Sequence, residues 1–465
     1  MESPSSSDRQ TIRDFQEPEE LTDAAQLSND GVINIVGPEE SASYTNHMLN
    51  PNQEFREDSS DSDDSFNSED IYSDNDDDSA QSIDLEDKNF HGVMGETKPM
   101  CSWNCDKELI LREHNIVNRI GWRDGHTSNQ SFGQGFTGSR QAVENLTLLK
   151  TLQSGFAYSL NFNRDGNLIC TSTQSCKIVI WDWANNKALH KFRPGHRNLI
   201  MQTKFISSNG CLDILSSSQD GQVFRTVISP SGGLPKSECL FNHSDVQMAS
   251  HPEILIVPHR PDEIMSAGKD GIVKIFDLRA PSVEATTLHV RKVEKYISLH
   301  SIAHHPLSPE FCLGGDDERV RIYDRRKLTK PIHEMTPHNP YKQGLSPEIN
   351  FVRYNHNGSE ILACFNDANN FLLDSRNYSD DFLHHYKERV SQVKFFGPRT
   401  EYIVAGNASN IFFWDKNTEA IISVNRSKKA TFVGHLEVHP WIPVLATTSN
   451  NESGIHIWIP NGLNL

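Results

Sequence analysis

No stretch of the 465-residue sequence approaches the ~18 consecutive apolar residues that a membrane-spanning helix requires. Its first residues, Met1-Glu2-Ser3-Pro4-Ser5-Ser6-Ser7-Asp8, have neither the basic nor the apolar segment of a secretory signal. These absences argue against a secreted or membrane protein and leave the nucleus or cytoplasm as the expected setting. Cysteine is sparse, at 8 residues. In a chain of this length without an export signal, that number suits free thiols in a reducing compartment. Cys101 and Cys105 form a C-x3-C pair, but no second pair follows at metal-ligand spacing, so two unrelated thiols are the better reading than a zinc site.

Catalytic signatures are missing too. The sequence contains no phosphate-binding G-x-x-x-x-G-K-[ST], no H-E-x-x-H and no G-x-S-x-G. His304-His305 and His384-His385 come nearest to a ligand cluster, but they lack partner residues, and His304-His305-Pro306 follows a strand where turn residues are ordinary. No catalytic residue, metal or cofactor is therefore assigned, and a non-catalytic binding module is expected.

Positive charge is in deficit, with 44 Lys+Arg against 62 Asp+Glu and a formal net charge of −18. The deficit is local. Residues 1–88 carry 25 acidic and 4 basic residues, which leaves the remainder at about +3. A near-neutral body is not built to coat nucleic acid. The densest acidic stretch, Glu54–Lys88, holds 15 acids, 2 bases and 8 serines. It is expected to be disordered, because it cannot bury enough apolar surface to offset its ordering entropy. Sites such as Ser62-Asp63-Asp64 suit an acidophilic kinase, and each phosphate adds about −1.5 to −2. Two readings stay open for this tail: a grip on a basic partner such as a histone, or simple solubilisation.

Residues 1–100 thus read as an acidic, serine-rich tail and residues 101–142 as a short helix and linker. In the latter, Leu109, Ile116 and Ile120 recur at near-helical spacing, and Gly125–Gly138 reads as linker. From residue 143 to residue 465 the chain repeats itself. Each unit has an alternating apolar strand, a polar turn, a small-residue strand, a tight turn, and an apolar strand ending in an aromatic residue, often followed by Asp. The markers fall at Trp181, Thr226, Phe276, Tyr323, Leu373, Trp414 and Trp458, with gaps of 41 to 50 residues. Four short strands at a period in the forties predict a seven-bladed WD40 β-propeller. Asp220-Gly221 and Asp270-Gly271 supply tight turns, and Asp317 occupies their position in the fourth unit. The chain stops too soon after Trp458 for an outer strand in the last blade. Val143–Lys150 alternates well enough to supply that strand and latch the ring.

These residues resemble the WD-repeat family, although the family's Gly-His doublet is well placed only at Gly195-His196. Gly434-His435 lies too close to the next strand to serve. The buried His, Ser/Thr, Asp, Trp tetrad is accordingly expected to be incomplete in most blades. Two consecutive units carry a finer pattern, Phe276-Asp277-Leu278-Arg279 and Tyr323-Asp324-Arg325-Arg326. This doubled aromatic-Asp-x-Arg motif resembles the substrate receptors of cullin-four RING ubiquitin ligases, with Phe or Tyr where that group has Trp. The resemblance implies that Arg279 and Arg326, with Asp277 and Asp324, dock the propeller on the damaged-DNA-binding adaptor of the ligase core. It further implies that a short helix before the propeller inserts into the adaptor, and that another surface holds an unknown target protein. Two alternatives stand beside it. Each arginine could merely pair with an acid of its own blade, or the chain could be a non-ligase scaffold that binds histones through its tail. Arg325-Arg326-Lys327 is too short, and too deep in a repeat, to read as a nuclear import signal.

Overall fold

Seven four-stranded antiparallel sheets follow one another through the described residues, and each is ordered inner, second, third and outer strand. The computed structural model describes residues 108–111, 113 and 129–461, apart from 207–210, 232, 244–251, 280–285, 293–294, 339–346, 367–368, 389, 391, 408–409, 427–432 and 450–453. The acidic segment Glu54–Lys88, Cys101 and Cys105 lie outside the described residues. The inner strands run Ala157–Phe162, Ile200–Ile206, Glu253–Ile256, Leu299–His304, Ile349–Tyr354, Gln392–Phe396 and Val433–Val438. The chain is a seven-bladed β-propeller, and the repeat markers Trp181 to Trp458 all fall within or at the ends of third strands.

The ring closes as expected, with the closing strand shifted along the chain. The outer strand of the last blade is Leu146–Leu152, which pairs antiparallel with Ile455–Pro460 from Leu146↔Pro460 to Leu152↔Ile455. The expected start at Val143 is corrected to Leu146, because a helix intervenes. Ser139 caps helix Arg140–Glu144 by accepting a hydrogen bond from Ala142 N at 3.2 Å. Val143 is fully buried on that helix, in the seam between blades six and seven. The glycine-containing stretch read as linker also holds a helix, Asn129–Thr137. Phe132 and Phe136 lie four residues apart on it, a spacing that places two rings on one helical face and offsets the low propensity of Gly133 and Gly135. Residues 108–111 and 113 are helical as well.

There is no single core. The buried apolar side chains fall into one cluster per seam between neighbouring blades. Leu152, Ile455 and Ile457 of blade seven, for example, pack on Phe162, Ile169 and Trp183 of blade one. Each sheet is apolar on both faces and is stabilised only by its neighbours, so stability is approximately a sum of nearest-neighbour terms. The inner strands are sheet edges, and their N–H groups are satisfied across the seams by side chains. Asn161 Oδ1 accepts from Phe205 N at 2.9 Å, Gln202 Oε1 from Ile254 N at 2.5 Å and Glu253 Oε2 from Ile302 N at 2.8 Å. Ser301 Oγ accepts from Val352 N at 3.1 Å and Gln392 Oε1 from Leu436 N at 2.6 Å. These bonds stitch neighbouring blades around the channel, where an unpaired edge would otherwise leave donors buried.

Among the described residues, two blades carry the His–Ser–Asp part of the family's buried network, with Thr226 and Phe276 in place of its Trp. His196 Nε2 lies 2.9 Å from Ser216 Oγ and its Nδ1 lies 3.3 Å from Asp220. His243 repeats the arrangement with Ser266 and, at 3.1 Å, Asp270. Since Asn242 precedes His243, the Gly-His spelling misses it. Its place 27 residues before Asp270, close to the 24 between His196 and Asp220, is the signal that finds it. In blade four Asp317 has no histidine and is held instead by a two-pronged Arg321 at 2.8 and 2.6 Å.

Candidate functional site

In an antiparallel blade the end of the third strand lies on the same face as the turn between the inner and second strands. Arg279 follows the third strand Ile272–Asp277 of blade three, and Arg326 follows Val320–Asp324 of blade four. The two arginines therefore occupy equivalent positions on one rim, in adjacent blades. Their side chains are 65% and 73% exposed.

Both are tethered by the same small device. Asp277 accepts from Arg279 N at 2.9 Å, Nε at 3.0 Å and Nη2 at 2.7 Å. Asp324 accepts from Arg326 N at 2.8 Å, Nε at 3.0 Å and Nη2 at 2.7 Å. Hydrogen bonds from the guanidinium hold the Asp277 carboxyl down to about 2, and the same cause lowers Asp324. Pairing within the blade and solvent exposure thus occur together. Each aspartate consumes one Nε–H and one Nη2–H, and among the described residues the other three guanidinium N–H groups are left for an outside acceptor. Pairing within the blade is the alternative raised from the sequence, and it forms because a carboxylate two residues before an arginine in a turn reaches its backbone N–H and its fork at once.

A contact that spacing does not reveal joins the two positions. Arg325, between the motif's Asp324 and Arg326, reaches across the seam to Glu263 at the start of blade three's second strand. Glu263 also accepts from Arg260 Nη1 at 2.6 Å. Arg325 is therefore spent on holding blade four to blade three and is not part of an exposed basic run. Leu307, in the inner-to-second turn of blade four on this same face, is an exposed apolar side chain. In the described helical residues 108–111, Leu109, Ile110 and Leu111 are likewise exposed.

The paired histidines have structural contacts. His304 Nδ1 lies 2.6 Å from His305 O, while His305 Nδ1 accepts from Leu307 N at 3.0 Å and Ser308 N at 2.8 Å. His384 Nδ1 lies 3.0 Å from Glu419, and His385 stacks on Phe371 with Nε2 2.8 Å from Asn369 Oδ1. Burial raises the Cys170 and Cys312 thiols to about 12, so neither is a thiolate nucleophile. Elsewhere, His300, Asp316 and Glu348 bring three ligand atoms within 4.8 Å of one another, and His300 Nε2 already lies 2.5 Å from Asp316 Oδ1.

Residues 146–182 match the WD domain, G-beta repeat. The chain is 27% identical over 261 residues to DDB1- and CUL4-associated factor 6 of Homo sapiens, covering 52% of this chain and 29% of that protein. The Mus musculus protein of the same name is 28% identical over the same span and shares. Protein ALTERED SEED GERMINATION 2 of Arabidopsis thaliana is 23% identical over 309 residues, covering 58% of this chain and 41% of that protein. The matches thus span less than half the length of these relatives.

Proposed function

We propose that this chain is the substrate receptor of a cullin-four RING ubiquitin ligase, a propeller that docks on DDB1 and carries a target protein to the ubiquitin-charged enzyme. The observation that carries this reading is the matched pair Arg279 and Arg326. Two exposed guanidiniums in adjacent blades, each fixed by its own aspartate, offer acceptors on a partner two preorganised forks on one rim. Relatives named as DDB1- and CUL4-associated support the same reading. The stretches KIVIWDW, GHRNLIMQTKF, SQDGQVF, FDLRAP, VRIYDRRKL and HPWIPVLATTS, in that order, further resemble the cullin-four-associated factor numbered eight. The exposed Leu109, Ile110 and Leu111 suit a helical segment that inserts into the adaptor.

The chain supplies no bond chemistry on this reading. It raises the effective concentration of the target near the transferring enzyme. Its setting is the nucleus or the cytoplasm. The test is affinity purification with mass spectrometry of the wild type and of the double variant Arg279→Ala, Arg326→Ala. DDB1 is expected to disappear from the variant while its melting curve stays normal. Undiminished DDB1 recovery alongside a normal melting curve sinks the assignment.

A further inference from the structure

Lys204 stands in the wall of the central channel, and among the described residues no carboxylate makes a hydrogen bond or an ion pair with its ammonium. A cavity of about 160 Å³ occupies this channel, and every inner strand contributes to its lining. Most of the lining residues come from the starts and middles of the inner strands, so the cavity lies mainly on the side away from the arginine rim, with Arg353 and Glu437 nearer the other end. Among the described residues, three cations and two carboxylates line it. Both oxygens of Glu253 are engaged, Oε1 accepting from Arg353 Nη2 at 2.8 Å and Oε2 from Ile302 N. Glu437 accepts from Lys394 Nζ at 2.6 Å. That leaves Lys204 in surplus, its ammonium with no hydrogen bond or ion pair among the described residues. Two neutral donors stand with it. Gln202 and Gln392 spend their carbonyl oxygens on Ile254 N and Leu436 N, which leaves the amide NH2 of each at the cavity wall.

A half-buried charge without a counter-charge of its own is costly, and a site that holds one is poised for an ion of opposite sign. We propose that the channel binds a carboxylate of an acidic peptide, with Lys204 as its counter-ion and the Gln202 and Gln392 amides as hydrogen-bond donors. The sign and size of the surplus set the ligand class. One carboxylate balances one ammonium, whereas a phosphate dianion would add an uncompensated negative charge beside Glu253 and Glu437. The volume, about that of five waters, takes a side-chain head, with the rest of a peptide left at the mouth. Desolvation lowers Lys204 to about 8, opposed first by the charge of Glu437. A bound anion therefore favours the protonated form. The site does not require that the rim dock on DDB1. If it does, the channel opens on the face left for a target.

The test titrates the full chain with a fluorescein-labelled hexaglutamate peptide, acetylated and amidated so that only side-chain carboxylates are offered. Glutarate and inorganic phosphate serve as competitors. Wild type is expected to bind saturably, Lys204→Met at least about 10-fold more weakly, and Lys204→Arg nearly as well as wild type. Glutarate should displace the peptide, at concentrations well above that of the peptide if neighbouring residues contribute, and phosphate should not. Removing a surplus charge is not expected to unfold the propeller. If Lys204→Met does fail to fold, the pH profile decides. Glu437, Lys394, Arg353 and Glu253 face Lys204, with His300 and His435 on the same wall. Wild-type affinity should fall as pH rises through about 8, the affinity of Lys204→Arg should not, and bound peptide should raise the wild-type melting temperature. Absence of saturable binding, equal binding by folded Lys204→Met, or displacement by phosphate as effective as by glutarate would overturn the proposal. DDB1 recovery by Lys204→Met, expected to be unchanged, keeps this outcome separate from that of the ligase reading.

Discussion

His439 Nε2 donates to the carbonyl oxygen of Gly166, 3.0 Å away, across the seam where the last blade meets the first. Its Nδ1 accepts from Trp441 N at 3.0 Å and Ile442 N at 3.1 Å, which fixes the ring over the turn that follows Pro440. Blade four repeats the device. His305 precedes Pro306, its Nδ1 takes the two N–H groups beyond that proline, and its ring lies against Gly358 of blade five. In each case a His-Pro turn caps itself with one ring nitrogen and presses the ring onto a glycine in the next blade's first turn.

Gly166 is required there twice over. Its φ is +80°, a conformation that favours glycine, and a Cβ would collide with the His439 ring. Gly155 has a similar φ of +70° with open space around it. Gly155→Ala is expected to cost about 1 kcal/mol from backbone strain alone. Gly166→Ala should cost roughly 2–4 kcal/mol, because strain and overpacking combine at the ring's closing seam. Urea unfolding of the two variants measures the difference, and equal losses would show that the His439 contact contributes nothing.

The same ring makes stability depend on pH. Burial lowers the His439 pKa from 6.5 to about 4, and burial also lowers His304 and His305. A histidine kept neutral in the folded state contributes stability that is full above its unfolded pKa. As pH falls below 6.5 the unfolded chain takes up the proton first, so stability declines until about pH 4 and then levels off. The slope from this one group is at most about 1.4 kcal/mol per pH unit. Unfolding free energies from pH 7.5 to 4.5 should decline in the wild type and decline less steeply in His439→Gln.

The propeller was legible because its markers are local. An aromatic at the end of a third strand, an Asp-Gly turn before it and a period in the forties are visible without knowing what packs on what. Closure was legible as well, since a blade short of one strand needs one from elsewhere. Features that depend on stacking were not. Arg325 and Glu263 are 62 residues apart and meet only because their blades are adjacent. The stitches from Gln202, Glu253 and Gln392 reach inner strands roughly 50 residues on, and nothing in their local sequence marks them. Helix Asn129–Thr137 was hidden by its glycines, which carry the composition of a linker while the phenylalanine spacing carries the fold.

Arg321 and Asp317 form a buried ion pair in blade four, with side chains 5% and 8% exposed. Arg321→Met alone should cost about 3–5 kcal/mol, because it leaves the Asp317 carboxylate buried without its partner. The double variant Arg321→Met, Asp317→Leu should recover most of that loss, since neither charge then needs compensation. A double-mutant cycle by urea unfolding reads the coupling. Additive losses would mean that the two side chains act independently.

Asp277 and Asp324 separate orientation from charge at the rim. If the adaptor is held by net positive charge, Asp277→Asn and Asp324→Asn should strengthen binding, since each removes a negative charge beside a guanidinium. If the arginines act as oriented forks, the same changes should weaken it, because an amide holds the guanidinium less firmly than a carboxylate and the freed side chain must be ordered on docking. That ordering costs about 0.5–1.5 kcal/mol for each side chain immobilised. The tether, closely similar at both positions, favours the second outcome. The double Asn variant should therefore bind immobilised DDB1 roughly tenfold more weakly, at an unchanged melting temperature, with most of the change in the dissociation rate. Tighter binding by that variant would assign the rim to electrostatic attraction alone.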